Sequence, residues 1–115
     1  MRQSVRTASP ASYEPRHRRV PTPSALLVVS AIIPTTNDGT NQRVEAYNTA
    51  IRVEAEAAAA AGKHVVFVDN YAVFSQRSDY KTALMADGLH PNDAGYAVLG
   101  QSFYDVVGAL LPAAQ

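Results

Sequence analysis

Cysteine and tryptophan are absent from this 115-residue chain, and net charge is missing too, ten basic residues balancing ten acidic ones. Without cysteine there is no disulfide framework, no thiolate nucleophile and no thiolate zinc site. Long apolar runs are also lacking. The longest, residues 26–33, falls far short of the roughly 20 residues that cross a bilayer as a helix, which argues against an integral membrane protein. What remains is ordinary for a folded chain. Hydrophobic residues make up 47% of it, which excludes wholesale disorder, and the length suits one globular domain and leaves no room for two.

The neutral total conceals two kinds of chain. Residues 1–24 hold five Arg against Glu14, a net +4, together with Pro10, Pro15, Pro21 and Pro23 and no hydrophobic period. Proline breaks helices and removes ladder donors, so this stretch reads as a disordered basic arm. Two functional readings compete with that. Arg16-His17-Arg18-Arg19 could neutralise phosphates, but interleaved aromatics and a folded reader are missing and residues 25–115 carry a net −4, so nucleic acid is disfavoured as a partner. The arginines followed by residues 25–33 could form a secretory signal, but the charged part is too long and no Ala-x-Ala site follows. Localisation stays open between secreted by bacteria and cytoplasmic.

Residues 25–115 read as an α/β unit. Residues 26–33 are a continuous apolar run rich in β-branched residues and stopped by Pro34, the pattern of a strand buried on both faces of a parallel sheet. Residues 35–40 read as a polar loop, with Thr40 or Asn41 capping the next element. A helix is expected over 42–61, with Val44, Tyr47, Ile51, Ala55 and Ala58 on one face and Gly62 as its stop. Residues 64–69 form a second short strand, completing a right-handed βαβ unit. Residues 70–92 are expected to be mostly loop with a helical turn at 80–86. A final helix is expected over 93–110, capped by Asn92 or Asp93, ended by Pro112 and carrying Tyr96, Leu99, Phe103, Val107 and Leu110 on its apolar face.

Two parallel strands cannot bury a double-sided apolar surface. Each needs neighbours, or its peptide groups stay unpaired at an edge. The expectation is therefore a partial domain, completed by another chain, by a second copy of this one, or by a missing N-terminal half; a small domain that folds alone is the plainer alternative.

The most informative stretch is residues 87–96, Asp-Gly-Leu-His-Pro-Asn-Asp-Ala-Gly-Tyr. Asp87 and His90 lie three apart in a Gly/Pro-bounded loop before a helix. That spacing lets the carboxylate meet the imidazole Nδ1–H while Nε2 faces outward, the arrangement of a general base held in one tautomer. On the bare Asp-x-x-His pair alone, a structural loop histidine is the favoured reading, because so short a motif often matches by chance. The whole stretch resembles the last conserved block of the SGNH (GDSL-type) ester hydrolases. The resemblance covers about residues 26–112 and includes Tyr47-Asn48 on the helix after the first strand. It implies part of a three-layer α/β/α, flavodoxin-like fold. It implies that His90 acts as base and Asp87 orients it within a Ser-His-Asp triad, with no metal and no cofactor. The implied chemistry is hydrolysis of a carboxylic ester or an O-acetylated carbohydrate.

This chain departs from that pattern. The family nucleophile sits in a Gly-Asp-Ser block and one oxyanion donor in a Gly-x-Asn-Asp block, and neither occurs here. Asn37-Asp38 lacks the preceding Gly and reads as ordinary polar loop. Ser24, Ser30, Ser75, Ser78 and Ser102 lack the glycine-flanked strand-to-helix turn that exposes a nucleophile; Ser75 and Ser78 are the nearest candidates. Without nucleophile and oxyanion hole, an Asp–His pair has little leverage on an ester, so the chain alone is expected to be inactive or very weak. Asp69 reads as a turn or cap, and Tyr71, Phe74 and Tyr80 as core or loop anchors.

Overall fold

The apolar, β-branched run ahead of Pro34 forms strand β1 (Leu27–Ser30). The computed structural model describes residues 25–111; the basic arm read at residues 1–24 and the stop expected at Pro112 lie outside them. After β1 come helix α1 (Asp38–Ala60), strand β2 (Val65–Val68), the short helices α2 (Asn70–Ser75) and α3 (Tyr80–Ala83), and helix α4 (Asp93–Val107). β1 and β2 pair in parallel, from Leu27 against Val65 to Ser30 against Val68. The described residues thus form a mixed α/β unit on a two-stranded parallel sheet.

Helix α1 starts four residues earlier than expected, and the polar loop is correspondingly shorter. Neither Thr40 nor Asn41 caps it. Asn37 does, its side chain accepting the Thr40 N–H at 2.8 Å, so Asn37-Asp38 is a helix start rather than plain loop. At the other end Gly62 takes φ +93°, where a side chain would be strained. This lets the Gly62 and Lys63 amides close on the Ala59 and Ala58 carbonyls, a Schellman stop.

The buried stripe of α1 also differs from the expected one. Asn41, Asn48 and Ala55 are buried, with Val44, Ile51 and Ala58 half-buried between them, whereas Tyr47 is 59% exposed. Four of the five expected positions, Val44, Ile51, Ala55 and Ala58, do face inward; Asn48 takes the place of Tyr47 and Asn41 extends the stripe, because two asparagines and not a tyrosine meet the chain beneath. Asn48 accepts the Ile32 N–H at 2.8 Å and donates to the Ile32 carbonyl at 2.9 Å. Asn41 does the same for Thr35, at 2.7 and 2.9 Å. These side chains take over the peptide groups of Ile32 and Thr35 just past the point where strand pairing ends.

The double-sided burial expected for β1 is only partial, Val28, Val29 and Ser30 being half-buried. Leu27 is 60% and Ile32 41% exposed, because a two-stranded sheet leaves one edge of each strand uncovered. Val68 of β2 and Ala31 just past β1 are buried, but the main apolar cluster lies beyond the sheet. Phe74, Tyr80, Leu84 and Met85 form it, with Ile33, Val73, Ala83, Val98 and Leu99 packed around. Phe74 comes from the stretch expected to be loop, where α2 had no clear apolar period over so few residues, whereas Tyr80, Leu84 and Met85 fall in the helical turn expected at 80–86, which forms as α3 and its exit. Asp69 caps α2 through the Ala72 N–H. Helix α4 ends at Val107 rather than 110, and Tyr96 and Leu110 of its expected apolar face are exposed, while Gly95 and Ser102 are buried. Asn70, fully buried, joins that helix to β1 by accepting from the Ser102 hydroxyl and donating to that of Ser30.

Asn48→Ala orphans both peptide groups of Ile32 and is expected to destabilise the chain by about 1–3 kcal/mol. Thr49→Ala, next to it but exposed, should stay within about 0.5 kcal/mol of the parent. Urea unfolding of both variants, followed by circular dichroism, tests this.

Candidate active site

The chain leaves α3 through Leu84 and Met85, both core residues, and re-enters structure at Pro91 and Asn92. Between them it makes a narrow hairpin: Met85 bridges Pro91 in antiparallel fashion, and the Ala86 N–H donates to the His90 carbonyl at 2.8 Å. Asn92 anchors the return strand. Its N–H donates to the Leu84 carbonyl at 2.8 Å and its side-chain amide to the Ala83 carbonyl at 3.1 Å. Its side-chain oxygen meanwhile accepts the Gly95 N–H and caps α4. One side chain therefore fixes the loop to the helix before it and the helix after it.

Gly95 explains how closely those elements meet. A Cβ there would lie 2.3 Å from the Leu84 carbonyl oxygen and 2.8 Å from the Pro91 Cβ. Both neighbours belong to the ends of the hairpin, so only glycine lets α4 begin against them.

At the hairpin tip Asp87 and His90 come together. Asp87 Oδ1 accepts the N–H groups of Leu89 and His90 at 2.8 and 2.7 Å, and its two oxygens lie 3.1 and 3.0 Å from His90 Nδ1. The two backbone donors, and then the imidazole, hold the Asp87 carboxyl down to about 2, so it carries its charge throughout neutral and mildly acid conditions. With Asp87 on Nδ1, the ring nitrogen left for another partner is Nε2. Both side chains are largely exposed, 60% and 68%, although the backbone that carries them is pinned. A further pin comes from across the fold, where the Thr36 N–H donates to the Gly88 carbonyl at 3.1 Å.

Among the described residues, no serine hydrogen-bonds the imidazole. Ser102 is buried and bonded to Asn70. The Ser30 hydroxyl accepts from Asn70 and donates to the Ala31 carbonyl. Ser75 and Ser78 are exposed around the turn between α2 and α3. Phe74 and Tyr80 are core residues, and Tyr71 donates its hydroxyl to Glu45. Among the described residues no group of three or more His, Asp or Glu could hold a metal ion, and no helix is long and apolar enough to cross a membrane.

The residues that hold the hairpin in place escaped the sequence reading. Thr36, which bonds the Gly88 carbonyl, and Asn41, which bonds the neighbouring Thr35, are not legible as supports, and Asn92 reads only as a cap. The available signal was two asparagines seven apart on a helix, in register with Ala55.

Residues 5–98 match the model of the GDSL-like Lipase/Acylhydrolase family. The match takes in the whole Asp87–His90 hairpin and the start of α4, and the chain belongs to that family, a lipase-like, esterase-type family of hydrolases. Curated proteins and solved structures returned no match.

Two outcomes follow from this geometry. Asp87 has its acidity raised on folding, from an ordinary value of 3.8 to about 2. The hairpin contacts it makes should therefore be complete above the higher value and be lost as pH falls through the lower one. In an NMR titration the Leu89 and His90 amides should shift with a midpoint near 2. Gly95→Ala should cost about 1–3 kcal/mol through overpacking and displace the Leu84 and Asn92 amide resonances first.

Proposed function

We propose that this chain carries the acid–base half of a serine ester hydrolase site. His90 removes the proton from a serine hydroxyl through Nε2 as the serine attacks the ester carbonyl, and then returns it to the departing alcohol. Asp87 holds the ring in the required tautomer and offsets the charge of the imidazolium. The observation that carries this reading is the doubly anchored carboxylate of Asp87 set against His90 Nδ1 at 3.0 Å. A structural histidine needs no such partner, whereas a base that must shed and regain a proton benefits from a fixed anion behind it.

In this reading the described part corresponds to the C-terminal portion of a three-layer α/β/α fold. Leu27, Val29 and Val65 face α1, and Val28 and Ser30 face α4. The nucleophile and the oxyanion donors come from a polypeptide bearing a Gly-Asp-Ser block, supplied by a missing N-terminal half or a partner. The substrate class is a short carboxylic ester or an O-acetylated carbohydrate.

A second reading is favoured by the open edge of β1. The Leu27 and Ala31 amides bond the His64 and Val68 carbonyls, so by strand alternation those of Val28 and Ser30 point the other way, where no strand of the described residues lies. A non-catalytic module that joins a partner's sheet through this edge would use the same surface.

The purified chain should not be labelled by a fluorophosphonate probe and should not hydrolyse p-nitrophenyl acetate. Co-expression with a polypeptide bearing the Gly-Asp-Ser block should restore both, and His90→Ala should then abolish the restored hydrolysis, a loss of about 10³-fold or more. Restored hydrolysis that survives His90→Ala would remove His90 from the reaction. A complex that forms without activity would favour the second reading.

A further inference from the structure

We propose that the buried knot of Thr35, Asn41 and Tyr80 is a positioning device for His90, and that the Tyr80 hydroxyl sets the imidazole's orientation without bonding either Asp87 or His90. This rests on the reading of His90 as the base, but its observable is the state of the ring and not a rate.

The hairpin from Met85 to Pro91 hangs between two supports. Its base is held by α3, through the Ala83 and Leu84 carbonyls that accept from Asn92. Its tip is held by the chain after β1, through the Thr36 N–H on the Gly88 carbonyl. The ring can keep one orientation only if those supports keep a constant separation. Thr36 and Tyr80 lie far apart in sequence, so nothing local fixes that distance.

The knot does. The Tyr80 hydroxyl, at the start of α3, donates to the Thr35 carbonyl at 2.7 Å and accepts from the Asn41 side-chain amide at 3.1 Å. Asn41 in turn donates to the same carbonyl at 2.9 Å and accepts from the Thr35 N–H at 2.7 Å and hydroxyl at 3.0 Å. Thr35, Asn41 and Tyr80 are 9%, 5% and 7% exposed, so water does not readily replace a lost bond. The residue that follows Thr35 is the one that grips Gly88, and the helix that Tyr80 begins is the one that grips Asn92. Closing the knot therefore sets the span across which the Asp87–His90 turn is stretched. Apolar contact of Ile33 with the same core brings the two supports near each other, but such contact is non-directional and does not set an angle.

Tyr80→Phe keeps the ring in the core and removes only the hydroxyl. Val73→Ala weakens the same core from another side without touching the knot, and serves as the control. In the full-length chain at about pH 8, where an ordinary imidazole is neutral, the His90 ring nitrogen shifts report the tautomer. Tyr80→Phe should move the two shifts toward each other, as Nδ1–H is held less firmly by Asp87, and should speed exchange of the Thr36 amide about tenfold or more. Val73→Ala should leave the tautomer unchanged at matched loss of stability. Equal responses from the two variants, or none from Tyr80→Phe, would overturn the proposal. If Tyr80→Phe does not fold, the parent chain still decides the matter. Thr35 and Thr36 amides should then exchange with the same protection, and a Thr36 amide that opens about 100-fold more often than that of Thr35 refutes the knot as the tether. Restored hydrolysis that survives His90→Ala counts against the parent reading and leaves the ring measurement standing.

Discussion

Two asparagine side chains on one helix hold the backbone just past β1, which among the described residues has no strand paired with it. Asn48 takes both peptide groups of Ile32, and Asn41 both of Thr35. A carboxamide presents a donor and an acceptor side by side, and so imitates the edge of a neighbouring strand. The spacing closes geometrically. Seven helical residues advance about 10.5 Å, and three extended residues about 10 Å, so asparagines one heptad apart meet peptide groups three residues apart. The order is reversed, Asn41 on the later residue and Asn48 on the earlier, so α1 and the extended segment run antiparallel.

Much else in the molecule depends on that clamp. It carries the chain from β1, where sheet pairing stops, to Thr36, which grips the hairpin tip. Phe74, Tyr80, Leu84 and Met85 form a buried cluster that ends at the base of the hairpin, while Leu27 of β1 and Tyr47 of α1 stay open. Firmness is therefore concentrated where Asp87 and His90 sit. Their side chains face solvent, but the backbone on either side of them ends in buried residues or in named hydrogen bonds. In the proposed reading, this exposed pair on an anchored loop suits chemistry on a partner or substrate that arrives from outside.

The order of elements was legible, and so was the Asp87–His90 pair. β1, α1, β2 and α4 follow from β-branched runs, from 3-4 periodicity and from Gly62 and Asn92 at helix boundaries. Helix α2 was not legible, because six residues with Phe74 and Val73 adjacent show no period. The inward face of α1 was misjudged at one place, because Tyr47 looks apolar and Asn48 polar, whereas burial there follows hydrogen-bond need. Asn41 and Asn48 are buried because peptide groups wait for them. The double-sided burial of β1 fell short for a different reason: it is a property of the neighbours a strand has, and a run of Val and Leu records what a strand can tolerate, not what covers it.

Local chemistry was set by the sequence alone. The carboxylate three residues before the imidazole, the turn between them, the capping asparagines and the glycine stop all act within a few residues, where covalent spacing decides which groups meet. The tertiary structure decided which distant groups share a hydrogen bond. Tyr80 reaching Thr35 across 45 residues, Thr36 reaching Gly88, and Gly95 fitting against Leu84 depend on how helices pack. Packing is settled by the balance of all contacts at once, so no short window of residues carries it.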